Sequence, residues 1–294
     1  MTGLVTGLAA EAPLTAGPGR RALGAARLLL SRPGLILSVV VVLLALTAAF
    51  LPGLFTSGDP LAAAPARSLL PPGPGHPFGT DQLGRDLFTR VVYGAGPSLK
   101  VTVVAVAAGV VLGGLLGLVA GLAVRWLDDV IARVIEVLLA VPSLLLSLTL
   151  VTALGSGTVN VALAVGLANV AGFARIMRAE VLRVRTSAYV EAAEAFGARR
   201  HSVLLRHVLP NAYGPLLAVA TLSTGTAVLA VAALGFLGYG AAPPAPEWGA
   251  LVAQGRDYLS SAWWLTTMPG LTVAAVALAV NRIARAEGEW AGLR

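Results

Sequence analysis

Long apolar stretches, separated by short polar segments, make up most of this chain. A helix crosses the hydrocarbon core of a bilayer with about 20 apolar residues, and stretches close to that length recur along the sequence. The pattern predicts six membrane-spanning helices, at 34–51, 101–124, 131–154, 159–174, 212–237 and 263–280. We therefore expect an all-α, polytopic membrane protein.

The polar segments divide the chain further. In chain order, the predicted parts are an N-terminal segment, a first span, a loop, a core of five spans with an internal polar segment, and a tail: 1–33, 34–51, 52–98, 99–285 with 186–210 inside it, and 286–294. The first apolar stretch is longer than the roughly 7–15 residues of a signal peptide's hydrophobic region. We therefore expect it to be retained as a membrane span.

The basic residues predict the orientation of the spans. If the N-terminus lies inside the cell, 16 of the 21 Lys and Arg residues fall in cytoplasmic segments. Cytoplasmic loops of membrane proteins carry such an excess of Lys and Arg. Both termini and the segment 186–210 are therefore predicted to be cytoplasmic, and the loop 52–98 extracytoplasmic.

Composition supports a multi-pass protein of the cell membrane. Hydrophobic residues make up 57% of the chain and charged residues only 12%, against about 25% charged in soluble domains. The absence of cysteine excludes disulfides and cysteine metal sites. The net charge of +7 is spread over several loops, which argues against nucleic acid as a partner.

No nucleotide site is visible in the chain. A P-loop needs Gly-Lys followed by Ser or Thr, because backbone amides and the lysine together hold the phosphates. The single lysine, Lys100, follows Leu99. If ATP drives this protein, another polypeptide must hydrolyse it, and we expect this chain to catalyse no covalent chemistry and to bind no cofactor or metal.

The predicted span interiors carry almost no charge. Secondary transporters and proton pumps place ionisable groups at mid-membrane depth, where they bind the coupling ion. Arg133 and Glu136, three residues apart near one end of the third span, are instead expected to pair with each other. A protein that moves a solute without an ion site needs an external motor.

Small and rigid residues predict how the spans pack. Gly109, Gly113, Gly117 and Gly121 recur every fourth residue, so they share one helix face on which a neighbouring backbone can approach closely. We interpret them as helix-packing residues. Pro142 is expected to bend the third span. Trp263 and Trp264 are predicted to anchor the sixth span at the membrane boundary.

The polar segment between the fourth and fifth spans reads EAAEAFGARRHSVLLRHVLPN from Glu191 to Asn211. Its pattern predicts a first short helix, with Tyr189, Ala192, Ala193 and Phe196 on one face. Gly197 would form the corner, and a second helix would run from about 200 to 209 and stop at Pro210. Such a knob suits insertion into a groove on a partner, or an amphipathic helix resting on an anionic leaflet. The pattern alone does not decide between the two.

This segment resembles the EAA loop of ABC importer permeases, in which a coupling helix docks onto the ATP-binding subunit. The resemblance implies the same role for seven residues: Glu191, Ala192, Ala193, Phe196, Gly197, Leu209 and Pro210. His207 stands where an aliphatic residue is usual.

Two further stretches narrow the resemblance. FGTDQLGRD at 78–86 and LGFLGYGAAPPAPEWGALVAQGRDY at 234–258 are similar to the second permease subunit of the dipeptide, oligopeptide and nickel subfamily. The chain departs from that subfamily after Asn281, where NRIARAEGEWAGLR replaces the usual Gly-Asp and Leu-Arg-Asp tail. Turn chemistry explains both stretches as structural elements, and contact with a solute-binding protein is the alternative.

The resemblance implies a six-helix permease of the type I ABC importer kind that carries dipeptides or oligopeptides. It implies a homologous permease as heterodimer partner, two ATP-binding subunits that hold ATP and Mg²⁺, an extracytoplasmic solute-binding protein and the surrounding membrane lipid. Two alternatives remain from the residues themselves. One is a homo-oligomeric secondary transporter or channel, and the other is a membrane anchor without a transport path.

Overall fold

The computed structural model describes residues 33–292, so all but the last residue of the predicted N-terminal segment lies outside the described part. Ten α-helices fill this part, and they are numbered here in chain order: α1 Pro33–Phe50, α2 Leu87–Leu122, α3 Arg125–Ala140, α4 Ser143–Leu154, α5 Thr158–Arg185, α6 Ala188–Ala195, α7 Arg200–Val203, α8 Leu209–Phe236, α9 Trp248–Gly255 and α10 Trp264–Gly292. A π-helical segment, Leu204–Val208, joins α7 to α8. Within the described residues, β pairing is limited to isolated bridges, which confirms the all-α class.

Within residues 33–292, five helical stretches are long and apolar enough to cross a membrane: Pro33–Phe50, Leu87–Leu122, Thr158–Arg185, His201–Phe236 and Trp264–Ala286. The fourth comprises α7, the π-helical segment and α8. A sixth crossing is counted only if α3 and α4, which meet at an angle of 94°, form one broken span. The bend that we expected at Pro142 in the third span, 131–154, is therefore confirmed, and it divides that stretch into two helices.

The break between α3 and α4 follows from Pro142. Proline disfavours the helical conformation in the residue before it, and Val141 is extended, with φ −90° and ψ 129°. Proline also lacks the N–H that would continue the helix. Since α4 has only 12 residues, it is about 18 Å long and too short to span a bilayer alone.

Two helices extend beyond the predicted spans. Helix α2 starts at Leu87, inside the predicted loop, where the carboxylate of Asp86 caps it by accepting a hydrogen bond from Thr89 N–H at 2.7 Å. Helix α5 continues to Arg185. Its 28 residues measure about 42 Å, about 12 Å more than the thickness of a hydrocarbon core of about 30 Å.

The contact between α2 and α5 is the most extensive in the described structure. Four glycines of α2 face α5, and a Cβ atom at Gly113 would lie 2.6 Å from Val170 O, while one at Gly121 would lie 2.6 Å from a Val181 methyl carbon. At Gly117 a Cβ would collide with Ala174 O, and at Gly109 it would lie 3.1 Å from Gly166 O. The two backbones are therefore as close as glycine permits.

The remaining helices pack around this pair. Helix α8 contacts α2, α5 and α10, α1 packs against α2 and α10, and the short α9 lies between α8 and α10. The arrangement has two ends. We call the one that carries residues 122–128, 178–210 and 282–285 the arginine-rich end, and the one that carries 52–86 and 238–262 the loop end.

Candidate coupling site

The predicted coupling segment forms a helical knob, residues 186–210, at the arginine-rich end. Only Thr186 and Ser187 separate α5 from α6, and Ser187 O accepts the first hydrogen bonds of α6, from Val190 N–H and Glu191 N–H at 3.0 and 3.1 Å. The knob is therefore joined to α5 by a short, hydrogen-bonded connection.

Gly197 forms the corner between α6 and α7. Its φ of 82° lies in the left-handed region, which glycine adopts without a steric penalty. Ala198 N–H donates to Ala193 O at 3.0 Å, the six-to-one hydrogen bond of a Schellman helix end. The geometry explains why a glycine stands at this position.

One side of the knob is anchored in an apolar cluster. Val190, Val203 and Val208 are almost completely buried, and they pack with Met177 and Val181 of α5. Because this cluster also includes residues of α8, the knob contacts both helices that flank it in the chain.

The other side of the knob is exposed. Phe196 is 92% exposed and Tyr189 is 47% exposed, and Glu191, Ala192, Gly197 and Pro210 also lie at the surface. Two of the predicted residues face inwards instead, because Ala193 and Leu209 pack against the apolar cluster. The predicted face of α6 is thus divided, with Tyr189, Ala192 and Phe196 outside.

Pro210 does not end a helix, and the prediction that it would was wrong. The helical path continues from His201 to Phe236, with Pro210 in the first turn of α8. The π-helical segment lies directly before it, and the wider turn accommodates a residue that lacks an N–H and crowds the preceding carbonyls. Asn211 Nδ2 donates to His207 O at 2.6 Å, so this carbonyl also has a partner.

Two features of the knob were not predicted from the sequence. The rings of Tyr189 and His207 lie 6.3 Å apart, so the unusual His207 contacts α6 from the π-helical segment. A cleft of about 790 Å³ separates the knob from the turn between α2 and α3, with Arg125, Arg185 and Glu191 in its lining. The residues that form each feature lie far apart in the sequence, so no local sequence pattern indicated either one.

Ion pairs fix the helices at this end. The guanidinium of Arg178 on α5 holds the carboxylate of Asp128 on α3 by two hydrogen bonds, Nε to Oδ1 at 2.5 Å and Nη2 to Oδ2 at 2.8 Å. This bidentate geometry connects α3 to α5. The predicted pair of Arg133 and Glu136 is confirmed at 3.2 Å, and it lies in solvent-accessible surroundings.

At the loop end, the GTDQLGRD stretch forms a buried ionic cluster. Asp81 Oδ2 accepts hydrogen bonds from Arg85 Nε at 2.7 Å and Arg90 Nη1 at 2.5 Å, and all three residues are nearly inaccessible. Arg90 belongs to the first turns of α2, so the cluster ties the loop to that helix. The predicted turn is present, and its ion-paired side chains point away from the surface.

Glu247 is a second buried acid at the loop end. It caps α9 by accepting hydrogen bonds from Gly249 N–H at 2.9 Å and Ala250 N–H at 3.1 Å, and Ser98 Oγ lies 3.5 Å away. Burial raises the pKa of Glu247, and the three hydrogen bonds act in the opposite direction. Gly235 and Gly240 leave the space that its carboxylate occupies.

One of the two tryptophans that we predicted as interfacial anchors is buried instead. Trp263 is half exposed, but Trp264 and Trp248 are buried. Their indole N–H groups donate to Thr80 O at 3.3 Å and to Val91 O at 2.9 Å. Trp264 packs against the loop 52–86 and Trp248 against α2, so both rings serve as core residues and not as interfacial anchors.

The comparison with protein families gives a match over residues 113–286 to the binding-protein-dependent transport system inner membrane component. The dipeptide transport system permease protein DppC of Alkalihalophilus pseudofirmus is 40% identical over 245 residues, which are 83% of this chain and 80% of that protein. The probable D,D-dipeptide transport system permease protein DdpC of Escherichia coli is 40% identical over 83% of this chain and 82% of its own length.

Solved structures show the same fold at lower identity. A chain of the MetNI methionine ABC transporter in inward-facing conformations has a TM-score of 0.52 and 21% identity, and the match covers 67% of this chain and 95% of that one. A chain of an amino acid ABC transporter has a TM-score of 0.53 and 16% identity, with 67% and 92% covered. The resemblance noted in the sequence is confirmed, and this chain belongs to the family of binding-protein-dependent transport system inner membrane components, as a multi-pass permease subunit of the inner membrane.

Proposed function

We propose that this permease subunit imports dipeptides or oligopeptides, driven by ATP hydrolysis in separate subunits. It forms the translocation path as a heterodimer with a homologous permease. Two ATP-binding subunits bind at the cytoplasmic side and hold the ATP and Mg²⁺, and an extracytoplasmic solute-binding protein delivers cargo at the loop end. This chain binds neither ATP nor metal.

The exposed side of the knob carries the proposal. Tyr189 and Ala192 on α6 and Phe196, the residue that follows its end, are spaced i, i+3 and i+7 and are all exposed, which is the pattern of a helix that docks into an apolar groove. We infer that the excess length of α5 over a hydrocarbon core lies at the knob, because the last turn of this helix carries Arg183 and Arg185, and that the knob stands clear of the acyl chains. This favours a protein partner over the alternative of an amphipathic helix on the leaflet.

The cargo class rests on the relatives. Proteins that are 40% identical to this chain are named as dipeptide and D,D-dipeptide transport permeases, and a di/tripeptide permease of Pseudomonas aeruginosa is 42% identical over 204 residues. The nearly uncharged span interiors agree with a path that holds a peptide weakly and lets it pass. Ions that need a charged mid-membrane site are a poorer fit.

The proposed mechanism is alternating access. Closure of the ATP-binding subunits moves the two knobs of the heterodimer. In this chain the movement passes directly into α5 and α8, because the knob is continuous with both helices and shares one apolar cluster with them. Their tilt exposes the central path to each side of the membrane in turn.

Replacement of Phe196 by alanine tests the docking role. The side chain is 92% exposed, so its loss leaves the fold of the subunit intact. If it fills a pocket of the ATP-binding subunit, its removal weakens docking by about 2 kcal/mol, as for other buried interface anchors. We expect peptide uptake into proteoliposomes and peptide-stimulated ATPase activity to fall at least tenfold, a change of about 1.4 kcal/mol or more.

The matched control is Trp126→Ala, which removes another exposed aromatic side chain at the same end, 67% exposed and outside the knob. Uptake by this variant should stay near the wild-type rate. If Phe196→Ala transports as well as Trp126→Ala, the knob is not the docking site. Uptake that follows an ion gradient without ATP would instead favour the secondary-transporter alternative.

A further inference from the structure

An apolar groove runs between α1 and α10 at the arginine-rich end. Its volume is about 590 Å³. Leu37 and Val41 line it from α1, and Leu278 lines it from α10. Leu37 and Leu278 are 64% and 69% exposed. In a bilayer, an apolar groove between two spanning helices faces the acyl chains.

Two arginines close one end of this groove. Arg282 and Arg285 on α10 belong to its lining, and among the side chains that the structure describes no acidic one does. The guanidinium of Arg282 lies against the backbone of α1, in the space that a side chain at Gly34 would fill. The apolar groove therefore ends in two positively charged side chains, and Gly34 leaves the space that the Arg282 guanidinium occupies.

The charge and shape together suit one class of ligand. A guanidinium donates paired hydrogen bonds to phosphate oxygens, and basic pockets between membrane helices on the cytoplasmic side bind anionic lipid head groups. We propose that this groove binds one anionic phospholipid, with an acyl chain along Leu37, Val41 and Leu278 and the head-group phosphate on Arg282 and Arg285.

A different segment of this chain is a poor occupant. The N-terminal residues 1–32 contain four arginines at 20, 21, 27 and 32, and a single acidic residue, Glu11. A segment with this charge is repelled by Arg282 and Arg285. The face of a second permease subunit is the other occupant that the experiment must distinguish.

Native mass spectrometry of the full-length protein, purified with the subunits that accompany it, tests the proposal. After removal of weakly held lipid, phosphatidylglycerol, phosphatidylcholine and inorganic phosphate are titrated separately. We expect one phosphatidylglycerol per copy of this chain, bound at least tenfold more tightly than phosphatidylcholine, and no retained inorganic phosphate. The double variant Arg282→Gln/Arg285→Gln should lose about tenfold or more in affinity for phosphatidylglycerol.

Two further variants separate the contributions of charge and shape. Ala275→Phe fills the groove from the exposed surface of α10 and should reduce binding without a change in charge. Arg133→Gln/Arg175→Gln removes the same charge from exposed positions of α3 and α5, outside the groove, and should bind phosphatidylglycerol as the wild type does.

Three results would overturn the proposal: equal retention of phosphatidylcholine, unchanged binding by Arg282→Gln/Arg285→Gln, or binding of inorganic phosphate alone. A cross-link from Leu278→Cys to another subunit, in a chain without native cysteine, would show that protein occupies the groove. The readout is lipid bound and needs neither ATP nor peptide, so it stands apart from a failure of the proposed transport function.

Discussion

Gly117 marks one of the closest approaches between two membrane helices in this protein. A methyl group there would collide with Ala174 O of α5, and neither backbone has room to yield. We expect Gly117→Ala to destabilise the protein by about 1–3 kcal/mol, as overpacking does in other cores. The measurement is the thermal unfolding midpoint of the purified protein in detergent, together with the yield of inserted protein.

Gly172 on α5 is the matched control, because a Cβ there would have no neighbour within 4 Å. Alanine favours a helix over glycine by about 1 kcal/mol. Gly172→Ala should therefore leave the midpoint unchanged or raise it. Equal midpoints for both variants would contradict the close packing of α2 and α5.

Glu247 gives the protein a stability that depends on pH. Burial raises its pKa in the folded state, while the unfolded chain has the ordinary value of about 4.3. Between the two values the folded protein binds the proton more tightly, so this contribution is fully present below the ordinary value and is lost as pH rises towards the folded-state pKa.

The variant Glu247→Gln tests this assignment. Glutamine resembles the protonated acid and keeps an oxygen for Gly249 N–H. We expect the wild-type unfolding midpoint to fall from acidic towards neutral pH and the variant to lose that part of the slope. Asp257→Asn, at an exposed site of the same end, should retain the wild-type slope. A Glu247→Gln slope equal to that of the wild type would show that this acid does not titrate differently on unfolding.

At the scale of the elements, we expect Pro142 to cause the 94° bend between α3 and α4. Their 16 and 12 residues measure about 24 and 18 Å, so the outer ends lie about 29 Å apart when bent and about 42 Å apart when straight. We expect Pro142→Ala to lengthen this distance, because alanine restores the missing N–H and frees Val141 to become helical.

Spin labels at Trp126→Cys and Leu154→Cys, in a chain without native cysteine, measure this distance. A second pair along α5, at Val159→Cys and Arg183→Cys, should give the same distance in both backgrounds. If the α3–α4 distance does not change in Pro142→Ala, the contacts of these helices with α5 set the bend and the proline only accommodates it.

For the individual helices, the sequence predicts that a helix is present more reliably than it predicts where the helix begins and ends. The apolar stretches locate the five long helices because hydropathy depends on composition alone. The start of α2 was missed because Arg90 looks like a loop residue until Asp81 neutralises it inside the fold. The buried position of Trp264 depends on its contact with the loop 52–86, and that of Trp248 on its contact with α2. The contact between Asp128 and Arg178 joins residues 50 positions apart.

The candidate site was predictable to a similar degree. Gly197 was placed correctly at the corner, because a positive φ is a local requirement that glycine meets. The inward positions of Ala193 and Leu209 were missed, since the apolar cluster that attracts them comes from α5 and α8. The path through Pro210 depends on the π-helical turn before it, for which no local sequence rule was available.

For the whole molecule, the distribution of charge predicts that the arginine-rich end is cytoplasmic. Since the chain has no cysteine, single cysteines report accessibility without background. We expect a membrane-impermeant maleimide, added to intact spheroplasts, to label Ala62→Cys at the loop end and not Ala198→Cys on the knob. After lysis both should be labelled, and the reverse pattern in intact cells would invert the topology.

The length of α5 has a mechanical consequence. Because Gly109, Gly113, Gly117 and Gly121 pack along α5 from Gly166 to Val181, α5 is expected to move together with α2, and its C-terminal end carries the knob. A sideways displacement of about 4 Å at the end of an arm of about 42 Å corresponds to a rotation of about 5°. A partner that shifts the knob by less than one helical turn would therefore change the angle between α5 and the helices other than α2, because only α2 is held to α5 by glycine contacts.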